Sequence, residues 1–482
     1  MDVRPHVFVI TTHPVRPHYN LTLAILTMAG TAYALQQTMV FPALSTFETH
    51  FNTTPAWATW VLTAFLLTAS VATPLIGKLG DQYGKERMLI VALSIFMVGT
   101  IGGAFAWNIG SLIGFRALSG AGGAVFPLSF GIIRDEFPPE KVKVGIGLLS
   151  AVFGVGGGLG IFFSGVIVEY LSWRWLFIAG AIPVAVAIVL VHRYVPESPI
   201  KSETRVDVPG ALLLAGSLVS LLVALTEGES WGWTSAAFLG LMLVSAVSLA
   251  AWILTELRVA EPMVDMRMMS QRPVLLTNTT ALIAGFAMFG TFVLVPQFVS
   301  TPESAGYGFG ASPIVSGLYL VPASLTMLFA GPVAGIFGRR VGSKWPLSIG
   351  MGLVALASLG LATRHDVPLD VVVSMVLLGA GVAAAFAAMA ALITESVRPT
   401  ETGVATGMNT VMRTVGGVIG GQIGAAILTT YTVADTGFPE EQAYTIAFGL
   451  SAAAAAVASG VAVFITSPFL ARRGARAAEA LE

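Results

Sequence analysis

Gly77-Lys-Leu-Gly-Asp-Gln-Tyr-Gly-Lys-Glu-Arg87 is the stretch that decides the fold of this chain. It is a short, charged segment, punctuated by glycine, between two apolar runs that are each long enough to cross a membrane. Ionisable side chains are costly in hydrocarbon, so the segment is predicted to lie at a membrane surface. A less complete copy, Gly335-Ile-Phe-Gly-Arg-Arg-Val-Gly342, follows at an offset of 335 − 77 = 258 residues. The two copies predict a membrane protein built from two related halves, an architecture that transports solutes.

The composition also indicates a membrane protein. Of the 482 residues, 55% are hydrophobic and 11% are charged, and the mean hydropathy is +0.82. That is too little charge to cover the surface of a soluble protein of this length. The chain has no cysteine, which excludes disulfides and thiolate metal sites. Its six histidines form no zinc-binding or nucleophilic pattern, so we expect no catalytic residues, metal, cofactor or nucleic-acid partner.

The number of membrane spans follows from apolar length and from the distribution of basic residues. With both chain ends in the cytoplasm, Lys and Arg should concentrate in the cytoplasmic loops. Among the 25 basic residues, the exceptions are Arg174 and Arg364 in predicted external loops and Arg116 and Arg413 inside spans. The fourteen predicted spans are 21–45, 57–77, 88–107, 109–133, 144–168, 173–192, 208–226, 234–256, 274–298, 313–337, 346–363, 368–394, 403–430 and 443–467.

Two further segments repeat at almost the same offset as the charged loop. Leu118–Ala124 matches Leu377–Ala383 (377 − 118 = 259), and Gly147–Gly160 matches Gly407–Gly420 (407 − 147 = 260). This offset spans eight helices and leaves the seventh and eighth without an equivalent. It therefore predicts an all-α membrane protein with two six-helix bundles and two inserted helices. The predicted units are a cytoplasmic tail (1–20), the N-terminal bundle (21–192), a linker with the two inserted helices (193–272), the C-terminal bundle (273–467) and a second cytoplasmic tail (468–482).

Two basic residues inside predicted spans are missing from the corresponding position of the other half. Arg116 aligns with Met375, and Arg413 aligns with Phe153. A charged side chain in a membrane span must face protein or water, so both arginines are candidates for a transport pathway. Asn409 lies one turn before Arg413 on the same helix face and is therefore a third candidate for the transport pathway. The alternative is a structural role, in which Arg116 bonds to nearby carbonyls or to a glutamine.

The first span carries Gln36 and Gln37 side by side. Adjacent residues of a helix point about 100° apart, so the two amides cannot both face one cavity. We expect Gln36 to line the pathway and Gln37 to form a hydrogen bond with a neighbouring helix.

The charged loop predicts a cytoplasmic gate formed by Gly77, Asp81, Gly84 and Arg87. The positive N-terminal end of helix thirteen, near Thr402-Gly403, would stabilise the Asp81 carboxylate. The glycines would allow the close packing that such a contact needs. The alternative is a solvated turn whose only role is to keep positive charge in the cytoplasm.

These motifs resemble the major facilitator superfamily, and within it the fourteen-helix drug:proton antiporters. The resemblance implies the major facilitator fold and alternating access to a site between the two bundles. The matching residues are Gly77, Leu79, Asp81, Gly84, Lys85 and Arg87 in the loop, Leu112, Arg116, Gly120 and Gly122 in helix four, and the runs Trp173–Phe177 and Leu225–Gly228 near the inserted helices.

The chain departs from these antiporters in helices one and five. Gln36 stands where the family carries an acid, and Gly160-Ile161 replaces a Gly-Pro pair. Glutamine does not titrate and arginine stays protonated between pH 5 and 8. We therefore expect proton coupling to be weak, or to use one of four carboxylates at predicted helix ends, namely Asp135, Glu136, Glu169 and Glu395.

The sequence predicts a secondary active exporter of amphipathic or lipophilic small molecules, of the multidrug type. We expect a monomer in contact with lipid in the cytoplasmic (inner) membrane of a bacterium, with protons as a candidate coupling ion. One alternative is a carrier of an anionic or neutral metabolite or lipid, which the two arginines favour. A second is a non-transporting receptor or scaffold, which would need neither hinge glycines nor a gate. The aromatic residues expected at the site are Phe65, Phe286, Phe289 and Phe292.

Overall fold

The computed structural model describes residues 19–199, 207–432 and 438–466. Regular structure in these residues is helical, apart from one isolated β-bridge between Thr432 and Pro439. The predicted tails, 1–20 and 468–482, fall outside the described residues except for Tyr19 and Asn20. The α-helices are α1 (Tyr19–Thr38), α2 (Leu44–Phe51), α3 (Pro55–Tyr83), α4 (Lys85–Ala104), α5 (Ile109–Ser119), α6 (Val125–Glu136), α7 (Pro139–Tyr170), α8 (Arg174–Tyr194), α9 (Val208–Trp231), α10 (Ala236–Glu256), α11 (Met266–Ser270), α12 (Arg272–Ser300), α13 (Pro313–Leu318), α14 (Val321–Val341), α15 (Lys344–Thr363), α16 (Pro368–Ser396), α17 (Thr402–Thr430) and α18 (Glu441–Val463).

Thirteen helical stretches in the described residues are long and apolar enough to cross a membrane. Three of them join separate helices into one stretch, at Ile109–Glu136, Ile314–Val341 and Pro399–Thr430. The first predicted span corresponds to α1, which has 20 residues but is less apolar because it contains four threonines and the pair Gln36 and Gln37. The count of fourteen spans therefore stays a prediction.

Three of the predicted spans are interrupted, and the one over 313–337 is divided between α13 and α14 at residues 319 and 320. The stretch predicted as one helix over 109–133 is broken by a 3-10 helix at Gly120–Ala124. This five-residue segment, Gly-Ala-Gly-Gly-Ala, lies close against α3, where a Cβ on Gly120 would be 2.6 Å from the backbone oxygen of Phe65. The first predicted span, 21–45, ends as a helix at Thr38, and a 3-10 turn containing proline follows at Phe41–Ala43. Proline at the start of a new turn fits this break, since it cannot donate to a continuing helix.

Each half of the chain packs around its own apolar core. Buried residues of α1, α4 and α6, such as Leu26, Phe96 and Leu128, form the first core. Buried residues of α15, α16 and α18, such as Met351 and Phe448, belong to the second. The halves therefore have the internal packing of two bundles.

The inserted helices α9 and α10 begin at capping side chains. Asp207 accepts a hydrogen bond from the backbone N–H of Gly210 at 2.9 Å, and Ser235 accepts one from Phe238 at 3.2 Å. Leu218 and neighbouring leucines of α9 belong to the same apolar cluster as α17. Leu67, Val71 and Leu75 of α3 also belong to this cluster. Helix α9 therefore packs along the junction of α3 and α17, in contact with both bundles.

The two bundles meet where glycines allow backbones to touch. A Cβ on Gly77 of α3 would lie 2.6 Å from the backbone oxygen of Gly403 in α17. A Cβ on Gly147 of α7 would lie 2.5 Å from the backbone oxygen of Gly331 in α14. Such small-residue contacts let membrane helices pack closely without interlocking side chains. The α3–α17 and α7–α14 contacts are thus the surfaces along which the bundles could move relative to each other.

Candidate functional site

A cavity of about 1010 Å³ lies between the two bundles. It extends from the glycine segment Gly154–Gly158 in the middle of α7 to the exposed side chains of Gln297 and Ser300. We call that mouth the open end, and the opposite end, which carries the loop after α3, the gate end. The volume is at the upper limit of pockets that hold drug-sized ligands. We refer to this space as the central cavity.

Asp81 is fully buried at the gate end and joins the two bundles. Its Oδ1 accepts a hydrogen bond from the N–H of Gly403 at 3.2 Å, and its Oδ2 accepts one from the N–H of Val404 at 3.1 Å. Both amides belong to the first turn of α17, where N–H groups lack helical partners and the helix dipole favours negative charge. The Nζ atom of Lys85 lies 3.5 Å from Asp81 Oδ1. The contact expected from the sequence near Thr402-Gly403 is therefore present.

Two basic side chains add contacts between the bundles at the gate end. Lys143 Nζ of α7 lies 2.7 Å from the Glu395 carboxylate of α16. Arg134 of α6 donates hydrogen bonds to the backbone oxygen of Val397 at 2.8 Å and to the hydroxyl of Thr402 at 2.6 Å. Together with Asp81, these residues connect the two bundles at the gate end.

The other predicted gate residues have different surroundings. Gly84 separates α3 from α4 with φ = +117°, and a Cβ there would lie 2.2 Å from a carboxylate oxygen of Glu197. Arg87 is 68% exposed, and its Nε lies 3.5 Å from the same carboxylate. Glu197 follows α8 in the same half of the chain. Gly77 and Asp81 thus contact the opposite bundle, whereas Gly84 and Arg87 shape the loop.

The glutamine pair is oriented opposite to the prediction. Gln36 is fully buried, and its Nε2 donates a hydrogen bond to the backbone oxygen of Leu176 in α8 at 2.7 Å. Its Oε1 has no hydrogen-bond partner in the described residues. Gln37 lines the central cavity. The expectation that Gln36 lines the pathway is corrected, because α1 turns that side chain towards α8.

Arg116 lies behind the wall of the central cavity. Its side chain is fully buried, with Nε donating to the backbone oxygen of Val61 and Nη1 donating to that of Gln36, each at 3.3 Å. The guanidinium carbon is 4.2 Å from the centre of the Phe65 ring, and Phe65 lines the cavity. These are the carbonyl contacts of the structural alternative, with an aromatic ring between the charge and the cavity.

Arg413 and Asn409 line a second, much smaller cavity of about 20 Å³ nearer the gate end. The guanidinium carbon of Arg413 is 4.2 Å from the ring centre of Phe386 and 5.2 Å from that of Phe153. Phe153 is the residue that aligns with Arg413 in the sequence repeat, and its ring lines both cavities. Asn409 donates a hydrogen bond to the side chain of Asn278 at 2.9 Å. Neither Arg413 nor Asn409 is among the residues that line the central cavity.

None of the four carboxylates predicted for proton coupling is among the residues that line the central cavity. Asp135 lies 2.8 Å from the Nζ of Lys85, and Glu395 forms the ion pair with Lys143 described above. Both carboxylates therefore form ion pairs at the gate end.

Glu227 is the acidic residue that lines the central cavity in the described part of the chain. It lies near the end of α9, and Trp60 Nε1 and Ser230 Oγ each donate to it a hydrogen bond of 2.7 Å. In the sequence, the run Leu225–Gly228 that contains Glu227 is one of the motifs that resemble the family. The available signal was an acid just beyond an apolar run, in one of the two helices that have no repeat partner.

Two of the four predicted phenylalanines, Phe65 and Phe292, line the central cavity. Phe286 is not among the lining residues, and the side chain of Phe289 lies outside the described residues. The wall of the central cavity is mainly apolar. Its polar residues are Gln37, Thr38, Thr59, Thr226, Glu227, Ser230, Gln297, Ser300, Ser316 and Gln422.

Comparison with known proteins gives a consistent family. The model of the Major Facilitator Superfamily matches residues 26–421 and 280–480. Multidrug resistance protein 3 of Bacillus subtilis (strain 168) is 29% identical over 374 residues, which cover 77% of this chain and 72% of the relative. The tetracenomycin C resistance and export protein of Streptomyces glaucescens is 28% identical over 346 residues, covering 71% of this chain and 63% of the relative. The efflux pump dotC of Dothistroma septosporum (strain NZE10 / CBS 128990) is 30% identical over 355 residues, which cover 72% of this chain and 60% of the relative.

The chain therefore spans about 60% to 72% of the length of these relatives. Two solved structures share the fold at low sequence identity. The human organic anion transporter MFSD10 superposes with a TM-score of 0.65 at 13% identity, covering 93% of this chain and all of that one. The proton:xylose symporter XylE superposes with a TM-score of 0.66 at 14% identity, and the match covers 93% of this chain and 96% of XylE.

Proposed function

Because the chain belongs to the Major Facilitator Superfamily, we propose that it is a secondary active exporter of amphipathic or lipophilic small molecules, of the multidrug type. Relatives named as multidrug resistance and efflux proteins support this substrate class. The observation that carries the proposal is the central cavity itself, which is large, mainly apolar and bounded by both bundles. Such a wall accepts apolar surfaces of many shapes, and its scattered amides and hydroxyls can orient a polar group.

The mechanism we propose is alternating access. In this proposal, the contacts of Asp81, Lys143 and Arg134 between the bundles keep the gate end closed, while exposed residues line the open end. Opening the gate end requires the Asp81 carboxylate to leave the N-terminal turn of α17. The glycine contacts of α3 with α17 and of α7 with α14 would allow the bundles to rock, because few side chains interlock there.

We further propose the arrangement in the membrane. The basic gate end lies at the cytoplasmic face of a bacterial inner membrane, and both chain ends lie in the cytoplasm. Fourteen helices span the bilayer, with α1 as the first and with α9 and α10 inserted between bundles 21–192 and 273–467. The protein acts as a monomer. Gly77, Asp81, Gly84 and Arg87 form the gate. Asn409 and Arg413 control the pathway between the gate and the central cavity, and Arg116 acts on that cavity from behind the ring of Phe65.

Proton coupling, in this proposal, acts through the gate carboxylates. Protonating Glu395 would remove its attraction to Lys143 of the other bundle and so favour gate opening. A carrier of anionic metabolites receives less support from the site, because neither Arg116 nor Arg413 is among the residues that line the central cavity. Their charges face aromatic rings and backbone carbonyls instead.

Efflux from intact cells tests the proposed function. The full chain is expressed in a bacterial strain that lacks its own efflux pumps, and cells loaded with ethidium or with the neutral dye Nile red are followed by fluorescence. We expect faster dye loss than in cells that carry an Asp81→Asn variant expressed at the same level. Equal retention of both dyes with the unmodified chain and the variant would contradict the exporter proposal.

A further inference from the structure

We propose that Glu227, on the inserted helix α9, is the specificity-determining residue that binds the positive group of lipophilic cations in the central cavity. This inference rests on the proposed function and narrows its substrate class. The inserted helices would then contribute to the binding site, and would not serve only as a spacer between the two bundles.

The carboxylate of Glu227 is held by neutral donors. Oε1 accepts the hydrogen bond from the indole Nε1 of Trp60 in α3, and Oε2 accepts the one from the hydroxyl of Ser230 in α9, both at 2.7 Å. Neither donor carries charge, so these bonds orient the carboxylate without neutralising it. Two fixed bonds, one to each oxygen, leave further lone pairs free to accept from a ligand.

No cationic side chain of the described residues lines the central cavity. The two buried arginines lie behind aromatic rings, Arg116 behind Phe65 and Arg413 behind Phe153. The N–H groups of Arg116 also bond to two backbone oxygens. The charge that a substrate meets directly is therefore the negative charge of Glu227.

The rest of the wall suits the apolar part of such a cation. Phe65, Phe153 and Phe292 line the deeper region, and the faces of aromatic rings attract cations. Gln37 and Thr59 border the same space and can accept hydrogen bonds from an ammonium group. A charged group near Glu227 and a hydrophobic body against the phenylalanines would fill the cavity from the open end inwards.

The packing of α9 explains why the inserted pair can supply this residue. Leu218 and Leu222 of α9 pack in one apolar cluster with Met408 and Val411 of α17. The Trp60–Glu227 hydrogen bond fixes the other end of α9 to the N-terminal bundle. The carboxylate therefore lies at the junction of both bundles, which is where a bound substrate must be released when the bundles move.

The test measures binding of two ions of the same shape and opposite charge, tetraphenylphosphonium and tetraphenylborate, to the purified full-length protein by titration calorimetry. Glu227→Gln removes the negative charge that would attract the cation, so it should weaken tetraphenylphosphonium binding by about tenfold or more. Tetraphenylborate binding should stay equal or become tighter. The matched control is Glu440→Gln, which removes an exposed carboxylate outside the cavity and should change neither affinity. Equal tetraphenylphosphonium affinity in Glu227→Gln and the unmodified protein would overturn the inference.

Two further variants separate charge from structure. Trp60→Phe and Ser230→Ala each remove a hydrogen bond to Glu227 but keep its charge, so both should retain a preference for tetraphenylphosphonium over tetraphenylborate. Glu227→Asp keeps the charge as well and should bind tetraphenylphosphonium more tightly than Glu227→Gln does. If Trp60→Phe weakens cation binding as much as Glu227→Gln does, Glu227 has a structural role and the inference is refuted.

Efflux of ethidium and of neutral Nile red distinguishes this inference from the proposed function. We expect Glu227→Gln to lose ethidium efflux and to keep Nile red efflux. If the unmodified chain exports neither dye, the exporter proposal fails. If Glu227→Gln exports both dyes as well as the unmodified chain does, the exporter proposal stands and only the role of Glu227 is refuted.

Discussion

Asp81→Asn is the substitution for which the structure allows the clearest estimate. The carboxylate accepts two backbone N–H bonds from α17, at 3.2 and 3.1 Å, and is fully buried. An asparagine can accept one of these bonds through its oxygen, but its amide N–H₂ would face the second backbone N–H as another donor. The substitution also removes the negative charge at the positive end of the helix.

The cost follows from the two bonds. A hydrogen bond to a charged group contributes about 1.5–3 kcal/mol and a neutral one about 1 kcal/mol. Replacing two of the first kind by one of the second costs about 2–5 kcal/mol, which shifts the balance towards an open gate by at least about 30-fold. We therefore expect the folded protein to lose most of its transport, because it no longer holds the gate end closed.

A single-cysteine reporter measures this shift directly, because the natural chain contains no cysteine. Thr406→Cys places a thiol one turn into α17, at a position that is 3% exposed when the gate is closed. A water-soluble maleimide should label it much faster in the Asp81→Asn background than in the unmodified one. The control is Asp366→Asn, an exposed aspartate remote from the gate, which should leave labelling unchanged. Equal labelling rates, together with normal dye efflux in Asp81→Asn, would refute the reasoning.

Three further predictions concern topology, backbone strain and the glutamine pair. In intact cells, an impermeant maleimide should label Asp366→Cys and should not label Arg340→Cys; the reverse pattern would contradict the proposed orientation. Gly84→Ala should lower the free energy of unfolding by about 1–3 kcal/mol, seen as a lower Tm, because φ = +117° is a conformation that residues with a Cβ rarely adopt. The Glu197 carboxylate would also have to move away from the new Cβ. Gly240→Ala, where a Cβ meets no atom within 4 Å, is the control and should not lower Tm. Gln37→Glu should make transport depend on pH, because it places a titratable group in the wall of the central cavity. Gln36→Glu should mainly lower Tm, because it removes the donor of the hydrogen bond to the backbone oxygen of Leu176. Equal pH dependence of transport in both variants would contradict this orientation of α1.

The sequence predicted well those features that depend on composition along one helix. Long apolar runs locate most of the membrane helices to within a few residues, since length and hydropathy decide whether a segment can span a bilayer. The contact between Asp81 and the start of α17 was also predictable, because a carboxylate and a helix N-terminus attract each other wherever the fold brings them close.

The features that failed depend on rotation and on packing between helices. A shift of one residue turns a side chain by about 100°, so only the packing of α1 against α8 decides that Gln37 and not Gln36 lines the cavity. The helix also breaks at Gly120–Ala124, whereas the matching segment Gly379–Ala383, which has Val382 in place of Gly123, stays within α16. Glu227 could not be placed in the site from the sequence, because its position depends on where the inserted pair packs.

The most direct test of the account measures both ends of the molecule at once. Spin labels on Lys141→Cys and Arg339→Cys report the distance between the bundles at the gate end, and labels on Thr49→Cys and Ser300→Cys report it at the open end. Pulsed electron paramagnetic resonance on the protein in lipid nanodiscs should show two populations for each pair. Alternating access predicts opposite changes: conditions that lengthen the gate-end distance, such as Asp81→Asn, should shorten the open-end distance. Distances that stay fixed at both ends, or that lengthen together, would contradict the claim that the central cavity opens to one side at a time.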